Sequence, residues 1–340
     1  MKPKCDSILV AVDELPRTPN TVLRKAAWIA RQSAARVELF HVISDARNVA
    51  TSRPLPDEEI EARQAALTEK RLLRMRQLSR SPVFRGIDVQ CKVVWEAAAY
   101  RAIIRRALAT RPALLIAGTH RHTLTMRLLL GSTDWDLIRY CPVPLLLVRS
   151  TRKYRAAPVV VAVDPFHAYE KPAGLDARLL KFGRTFAALM HGDLHVFHAY
   201  MPLVPLQTLP MAAAAPLILM PPEQEPAHQH QVERSIDKLA LSAGIPKRRC
   251  HVQMGHVPEE LADVVRRTGA GLVVMGAISR STLARLVLGN TAERVIDKLS
   301  CDLLVIKPRG FRKTLRALPR QGAARGSHSA DMASGSLVTI

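Results

Sequence analysis

Aromatic side chains are scarce in this chain, since Phe, Trp and Tyr make up 4% of its 340 residues. Proteins that bind single-stranded nucleic acid stack bases on such rings, and no platform of that kind is evident. The net charge of +21 still raises the question of nucleic acid, because phosphates attract Lys and Arg. The basic residues are spread along the whole sequence, however, so we predict that nucleic acid is not the main partner.

Cysteine is also sparse and without pattern. The five cysteines are odd in number and form no C-x-x-C pair, which favours reduced thiols in the cytosol. Met1 to Asp13 leads directly into a predicted strand, so no signal peptide is expected. The longest apolar run, Met211 to Met220, is too short to cross a bilayer and contains Pro216. These features predict a soluble, cytoplasmic protein without a membrane partner.

Familiar catalytic and metal-binding patterns are missing. The twelve histidines show no zinc-like spacing, and His195 and His198 are expected to face opposite sides of one strand. The chain has no nucleophile elbow, no complete Walker loop and no Ser/His/Asp set that can be assembled. The sequence therefore predicts no metal site and no catalytic residue, and only a weak ATPase activity is left open.

What the sequence does contain is a duplication. Gly118 to Val148 matches Gly276 to Ile306, with the same spacing between Gly118 and Gly131 as between Gly276 and Gly289. Further upstream, the run 37–41 matches 194–198, and 8–13 matches 159–164. Each copy has the usual length of one domain. We predict a first domain over 1–152, a second over 153–309, and a flexible basic tail over 310–340.

Both copies alternate apolar strands with amphipathic helices. In the first copy the patterns predict strands 7–12, 36–42, 88–94, 113–118 and 144–149, and helices 19–34, 57–80, 98–109 and 133–140. Strands such as 8–12 and 145–148 are apolar at nearly every position, which is typical of a parallel sheet covered on both faces. The fold class is therefore α/β, with two tandem doubly wound domains.

Ligands of such sheets bind beyond the carboxyl ends of the strands, where the winding direction reverses. Asp13 and Asp164 follow the first strand of each copy, and Gly118 and Gly276 end the fourth. The fourth helix then begins just after Gly131 or Gly289, and its free N–H groups suit a phosphate.

Purely structural roles are open for the same residues. The two Asp side chains can cap the next helix or the turn, and Ser132 can be a helix cap. Asn290 with Glu293 fits a capping box. The glycines can serve backbone shape alone.

The pattern Gly-x-x-Gly-x9-Gly-Ser/Thr after a strand, with an Asp after the first strand, resembles the nucleotide-binding signature of the universal stress protein family. The segments 93–95, 289–293 and 301–308 look like its tandem-domain E type in particular. The resemblance implies a Rossmann-like sheet of order 3-2-1-4-5 in each half, with Asp on adenosine and the glycine loop on phosphates. The implied nucleotide-binding residues are Asp13, Gly118, Arg121, Gly131, Ser132 and Thr133 in the first half, and Asp164, Gly276, Ser279, Gly289, Asn290 and Thr291 in the second.

Both halves depart from that signature, because the middle glycine is Arg121 in one and Ser279 in the other. If that position needs a positive φ, a side chain there costs about 1 kcal/mol and blocks close approach of the backbone. The basic loop 119–122 is either solvated or binds an anion through its side chains. The hydroxyl-rich loop 279–282 is less crowded, which favours the second half slightly as the nucleotide site.

These observations predict a non-enzymatic stress-response protein that binds ATP, another adenine nucleotide or a related phosphorylated ligand in at least one half. The alternative is an apolar or acyl-bearing metabolite in the second domain, because the connection Met201 to Glu225 is rich in Pro, Leu, Met and Ala. The two halves are expected to pack as a pseudo-dimer within the chain. Association of two chains is left open.

Overall fold

A computed structural model describes residues 6–13, 15–44, 56–119, 133–166, 174–200, 225–276, 279–280, 287–288, 294–296 and 298–311. The apolar connection at 201–224 and residues 312–340 of the predicted tail lie outside this described part. So do six of the predicted site residues, which are Arg121, Gly131, Ser132, Gly289, Asn290 and Thr291.

The first half forms five strands and four helices in strict alternation. The strands are β1 (Ser7–Val12), β2 (Arg36–Ile43), β3 (Val89–Trp95), β4 (Leu114–Gly118) and β5 (Leu145–Val148). The helices are α1 (Thr21–Ser33), α2 (Asp57–Ser79), α3 (Ala99–Thr110) and α4 (Thr133–Tyr140). All nine lie within one or two residues of the sequence prediction.

The second half repeats this order. Its strands in the sheet are β6 (Val159–Ala162), β7 (Leu194–Tyr200), β8 (Cys250–Met254), β9 (Leu272–Gly276) and β12 (Asp302–Ile306), and a separate small hairpin pairs β10 (Ser279–Arg280) with β11 (Val287–Leu288). Its described helices of more than one turn are α5 (Leu175–Met190), α6 (Glu225–Ser242) and α7 (Val257–Thr268). Short 3-10 turns, Pro82–Phe84 and Lys247–Arg249, precede β3 and β8 at matching places.

Each half has the strand order that the resemblance implies. The first reads β3-β2-β1-β4-β5 and the second β8-β7-β6-β9-β12, and all neighbours within a half are parallel. Each half thus has the expected five parallel strands, and the two sets are joined edge to edge because β5 and β12 pair antiparallel. Leu146 lies opposite Leu304 at the centre of that pairing. The protein therefore has one ten-stranded sheet.

The central strands are buried on both faces because alternate residues enter different cores. In β5, Leu146 and Val148 belong to the core under α1 and α5, whereas Leu145 and Leu147 belong to the core on the opposite face. Each of the two cores contains residues of both halves. The two halves thus form the expected pseudo-dimer, joined by a continuous sheet and by shared apolar layers. Among the described residues, no helix has the length and apolar character needed to span a membrane.

Candidate functional site

The carboxyl ends of β1, β4 and β5 surround a cavity of about 240 Å³. The structure thereby brings Asp13 and Gly118 together, as the sequence predicts. The lining comes from the end of β1, the start of α1, the end of β4 and the chain after β5, which are Ala11, Val12, Asp13, Asn20, Thr21, Val22, Leu23, Gly118, Thr119, Val148, Arg149, Ser150 and Thr151. This is the point at which the winding direction of a doubly wound sheet reverses.

The end of β1 is held by a histidine that the sequence did not single out. The Nδ1 atom of His41, at the end of β2, lies 2.7 Å from the carbonyl oxygen of Val12. A carbonyl can only accept, so this nitrogen carries the proton, and burial lowers the pKa of His41, which favours the neutral ring. His198 contacts the Val163 carbonyl in the same way at 3.0 Å. The matching runs 37–41 and 194–198 were the signal that could have revealed this pair.

Asp13 is not the N-cap residue of the helix that follows it. The N-cap of α1 is Asn20, whose side-chain oxygen accepts the N–H of Leu23 at 3.1 Å. In the second half, α5 begins after Gly174, which makes no side-chain cap bond. The N-cap residues of α1 and α5 are thus Asn20 and Gly174, and not Asp13 and Asp164. The carboxylate of Asp13 is exposed at the edge of the cavity.

The strand-end glycines are explained by packing. A Cβ atom on Gly118 would lie 3.0 Å from Cγ2 of Val22, and one on Gly276 would lie 2.9 Å from Cδ2 of Leu175. Neither glycine has a positive φ. Both glycines therefore lie where the helix after the first strand closely approaches the end of the fourth strand, at equivalent points of the two halves.

Thr133 is the one described residue of the predicted glycine turn in the first half, and it begins α4. The first turn of this helix already carries Asp134 and Asp136. Carboxylates there compensate the positive end of the helix and disfavour a second anion at the same spot. The first turn of α1, by contrast, has no acidic residue and faces the cavity.

The equivalent region of the second half is arranged differently. The backbone N–H of Asp164 donates to the side chain of Asp176 at 3.2 Å, and Asp176 is buried in the first turn of α5. Leu175 packs over Gly276. Ser279 lies in β10, opposite Leu288. The described cavity therefore supports the first half as a ligand site, whereas the sequence slightly favoured the second.

A buried polar cluster adjoins the cavity at the junction of the halves. Asp302 is fully buried and accepts from the backbone N–H groups of Arg149 and Ser150, at 2.9 and 2.8 Å, and from Lys25 at 2.5 Å. The hydroxyl of Tyr154 donates to the same carboxylate. Sequence reasoning missed this cluster, since its members lie far apart along the chain.

The described residues contain no group of three or more His, Cys, Asp or Glu side chains that could hold a metal ion. His195 and His251 do meet, with their rings stacked at a centroid distance of 5.2 Å across β7 and β8. Burial lowers the pKa of His251 to about 4, and the neighbouring His195 adds to the effect. A pair of neutral histidines supplies too few ligands for a zinc site.

A larger groove of about 670 Å³ runs along α2 between Leu15 and the side chains of Lys70, Arg71 and Arg74. It contains none of the predicted site residues and lies on a helix face that is largely open to solvent. The smaller cavity at the strand ends is the stronger candidate site, because it combines the switch point of the sheet with Asp13 and Gly118.

Two doubly wound parallel halves, each with its first and fourth strands at the centre, define the Rossmann-like class of α/β domains. The model of the universal stress protein family matches residues 4–149 and again 157–307. The chain therefore belongs to the universal stress protein family, with two of its domains in tandem.

Curated relatives share the tandem arrangement. The chain is 28% identical over 317 residues to universal stress protein E of Photorhabdus laumondii, and the alignment covers 92% of this chain and 98% of the relative. It is 28% identical over 313 residues to universal stress protein E of Escherichia coli K12, covering 89% and 94%. A solved structure from Pseudomonas aeruginosa UCBPP-PA14, described as that of a universal stress protein, aligns with a TM-score of 0.66 at 21% identity, covering 92% of this chain and 96% of the other.

Proposed function

We propose that the chain is a non-enzymatic stress-response protein that binds an adenine nucleotide or a related phosphorylated ligand in its first half. The observation that carries this proposal is the cavity in which Asp13 and Gly118 meet at the ends of β1 and β4. Both residues belong to the family signature identified in the sequence. The proposal places the ligand in the first half, although Arg121 replaces the middle glycine of the signature there.

The lining of the cavity suits a nucleoside. The carboxylate of Asp13 can accept hydrogen bonds from ribose hydroxyls, as acidic residues do in dinucleotide-binding sheets. Val22 offers apolar surface for a base, next to the largely buried Val12 and Val148. Ligand pockets usually measure roughly 300–1,000 Å³, so a cavity of about 240 Å³ accommodates part of a nucleotide.

The phosphates would lie away from Asp13, because like charges repel. The first turn of α1 has no acidic residue to compensate the partial positive charge of the helix start, which lies at the cavity wall. The glycine turn before Thr133, which the family signature assigns to phosphates, lies outside the described residues.

Calorimetric titration of the full chain with ATP, AMP and pyrophosphate tests this proposal. We expect Asp13→Asn to weaken ATP and AMP binding by roughly tenfold, the usual effect of losing a hydrogen bond to a charged group. Asp237→Asn makes the same charge change on α6, distant in the fold from the strand-end cavity, and should bind like the parent. Absence of heat with both nucleotides, or equal affinity of the Asp13 variant and the parent, would reject nucleotide binding at this cavity.

Three further expectations stay predictions. The apolar or acyl-bearing metabolite in the second half depends on the connection at 201–224, which lies outside the described residues. Native mass spectrometry of the gently purified protein would detect such a molecule as an added mass. The absence of turnover and the cytoplasmic location likewise await measurement.

A further inference from the structure

Asp302 connects the second half to the ligand cavity of the first. It is the first residue of β12, the second-half strand that pairs with β5, and its side chain is completely buried. One carboxylate oxygen accepts the N–H groups of Arg149 and Ser150. The other accepts from Lys25 and Tyr154. With two donors on each oxygen, the hydrogen-bonding capacity of the carboxylate is filled, which fixes its orientation.

The groups bound by Asp302 belong to two walls of the cavity. Arg149 and Ser150 line it directly after β5. Lys25 lies one helical turn beyond Thr21, which lines the cavity at the start of α1. The ammonium group of Lys25 also donates to the Ser150 carbonyl at 2.6 Å. Lys25, Ser150 and Asp302 therefore join the α1 wall and the β5 wall through one carboxylate that the second half supplies.

Aromatic packing by Tyr154, which lies in the connection between β5 and β6, covers this cluster. The Lys25 ammonium group lies 4.5 Å from the ring centroid of Tyr154, and Tyr154 makes an edge contact with Trp28 of α1 at 5.4 Å. Both Lys25 and Tyr154 are almost completely buried. Because water is largely excluded, loss of the carboxylate would leave the buried Lys25 cation without its counter-ion and would remove the bonds that join both walls.

The second half supplies Asp302 to the first-half cavity, and the first half supplies no equivalent group in return. In the duplicated pattern the first-half counterpart of Asp302 is Pro144, which has no carboxylate. The counterpart of Ser150 is Pro308, which has no backbone N–H to donate. Helices α1 and α5 end at the matching left-handed residues Ala34 and His191. Lys25 lies nine residues before the first of these, and the residue at the same place before His191 is Phe182. The first half thus has no equivalent group with which to position the second-half region.

We propose that Asp302 is a positioning residue through which the second half sets the shape of the first-half cavity, so that ligand binding in the first half is coupled to the packing of the two halves. The identity of the ligand rests on the proposed function, whereas the positioning of the walls does not. Coupling of this kind is reciprocal, so a ligand in the cavity would in turn stabilise the β5–β12 junction.

Hydrogen exchange on the full chain tests the positioning directly. In Asp302→Ala, we expect the amides of Arg149 and Ser150 to exchange about tenfold faster or more, and those of Leu23 and Arg24 at the start of α1 to exchange faster as well. Val264→Ala provides the matched control, since it truncates a fully buried side chain of α7 in the core on the opposite face of the sheet from α1. Equal exchange at these amides in the two variants would overturn the proposal.

ATP titration adds a functional readout. If the parent binds ATP, Asp302→Ala should weaken binding by about tenfold while Val264→Ala binds like the parent. Equal weakening in both variants would mean general destabilisation and would overturn the coupling. If the parent binds neither ATP nor AMP, the proposed function fails. The hydrogen-exchange rates still decide whether Asp302 positions the α1 and β5 walls of the cavity.

Tyr154→Phe covers the case in which Asp302→Ala does not fold. This variant removes one donor to Asp302 and keeps the ring contacts with Lys25 and Trp28. We expect a smaller rise, about threefold, in exchange of the same amides. Unchanged exchange in Tyr154→Phe would then contradict the proposal.

Discussion

Lys307 is a buried cation whose ammonium group has no hydrogen-bond partner among the described residues. The residue is 4% exposed, and its Nζ atom lies 4.7 Å from the ring centroid of Phe311. Burial lowers the pKa of Lys307 to about 8. A charged group in such a place lowers the stability of the fold, since the cation–π contact replaces only part of the lost hydration.

Lys307→Met should therefore stabilise the protein at neutral pH, by about 1–3 kcal/mol. An unfolded lysine has a pKa near 10.5, so between pH 8 and 10.5 the unfolded chain holds a proton that folded Lys307 has released. The parent consequently gains stability as pH rises through this window, and the advantage of the variant shrinks. Urea unfolding of both proteins at pH 7 and pH 10 measures the difference in their free energies of unfolding. The Cys and Tyr residues titrate in both proteins, so their contributions cancel in this difference. If the difference in free energy of unfolding between Lys307→Met and the parent were the same at pH 7 and pH 10, the lowered pKa of Lys307 would be contradicted.

The site shows at the residue scale what the sequence could reveal. Asp13 and Gly118 were found because the first follows β1 and the second ends β4, and the apolar pattern of each strand marks its end. His41 carries no local signal apart from its match with His198 in the second copy. Asp302 follows Cys301 at the start of an apolar run, and nothing near it in the sequence points to Lys25 or Tyr154.

Several helices end at a residue in the left-handed conformation. Gly269 after α7 suits this role, but α1 ends at Ala34 with φ 55° and α5 at His191 with φ 52°. A residue with a Cβ atom is strained in this region, whereas glycine is not. The left-handed conformation of Ala34 therefore lowers the stability of the C-terminal end of α1.

Ala34→Gly is expected to raise the free energy of unfolding by about 0.5–1 kcal/mol, because the C-cap of α1 loses its steric strain. Gln32→Gly, in the last turn of the same helix, should lower it by up to about 1 kcal/mol, since glycine is unfavourable where φ is helical. Urea unfolding monitored by circular dichroism distinguishes the two. A loss of stability in both variants would show that strain at Ala34 is not significant.

At the scale of the whole molecule, the two halves share one sheet and two apolar cores. The sheet is continuous through β5 and β12, and both cores contain residues of both halves. A change in the core of the second half should therefore affect the stability of the first. The three tryptophans, Trp28, Trp95 and Trp135, all lie in the first half, so their fluorescence reports mainly on that half.

Leu304→Ala tests this cooperation. Leu304 is fully buried in β12 opposite Leu146, and its truncation should cost about 2–5 kcal/mol. We expect the urea midpoint to fall equally when it is measured by tryptophan fluorescence and by far-ultraviolet circular dichroism, which reports both halves. A fluorescence midpoint that stays at the parent value while the dichroism midpoint falls would show that the halves unfold independently.

The sequence by itself determined the secondary structure, the duplication, the parallel character of each half and the family, because apolar periodicity and turn residues act over short stretches of chain. It also placed Asp13 and Gly118 at one strand end. Only the tertiary structure decided that β5 and β12 pair antiparallel, that Gly118 makes room for Val22, and that Asp302 holds two walls of the cavity. Those features depend on groups distant along the chain, and an apolar run such as 303–306 carries no mark of which strand it will pair with or in which direction.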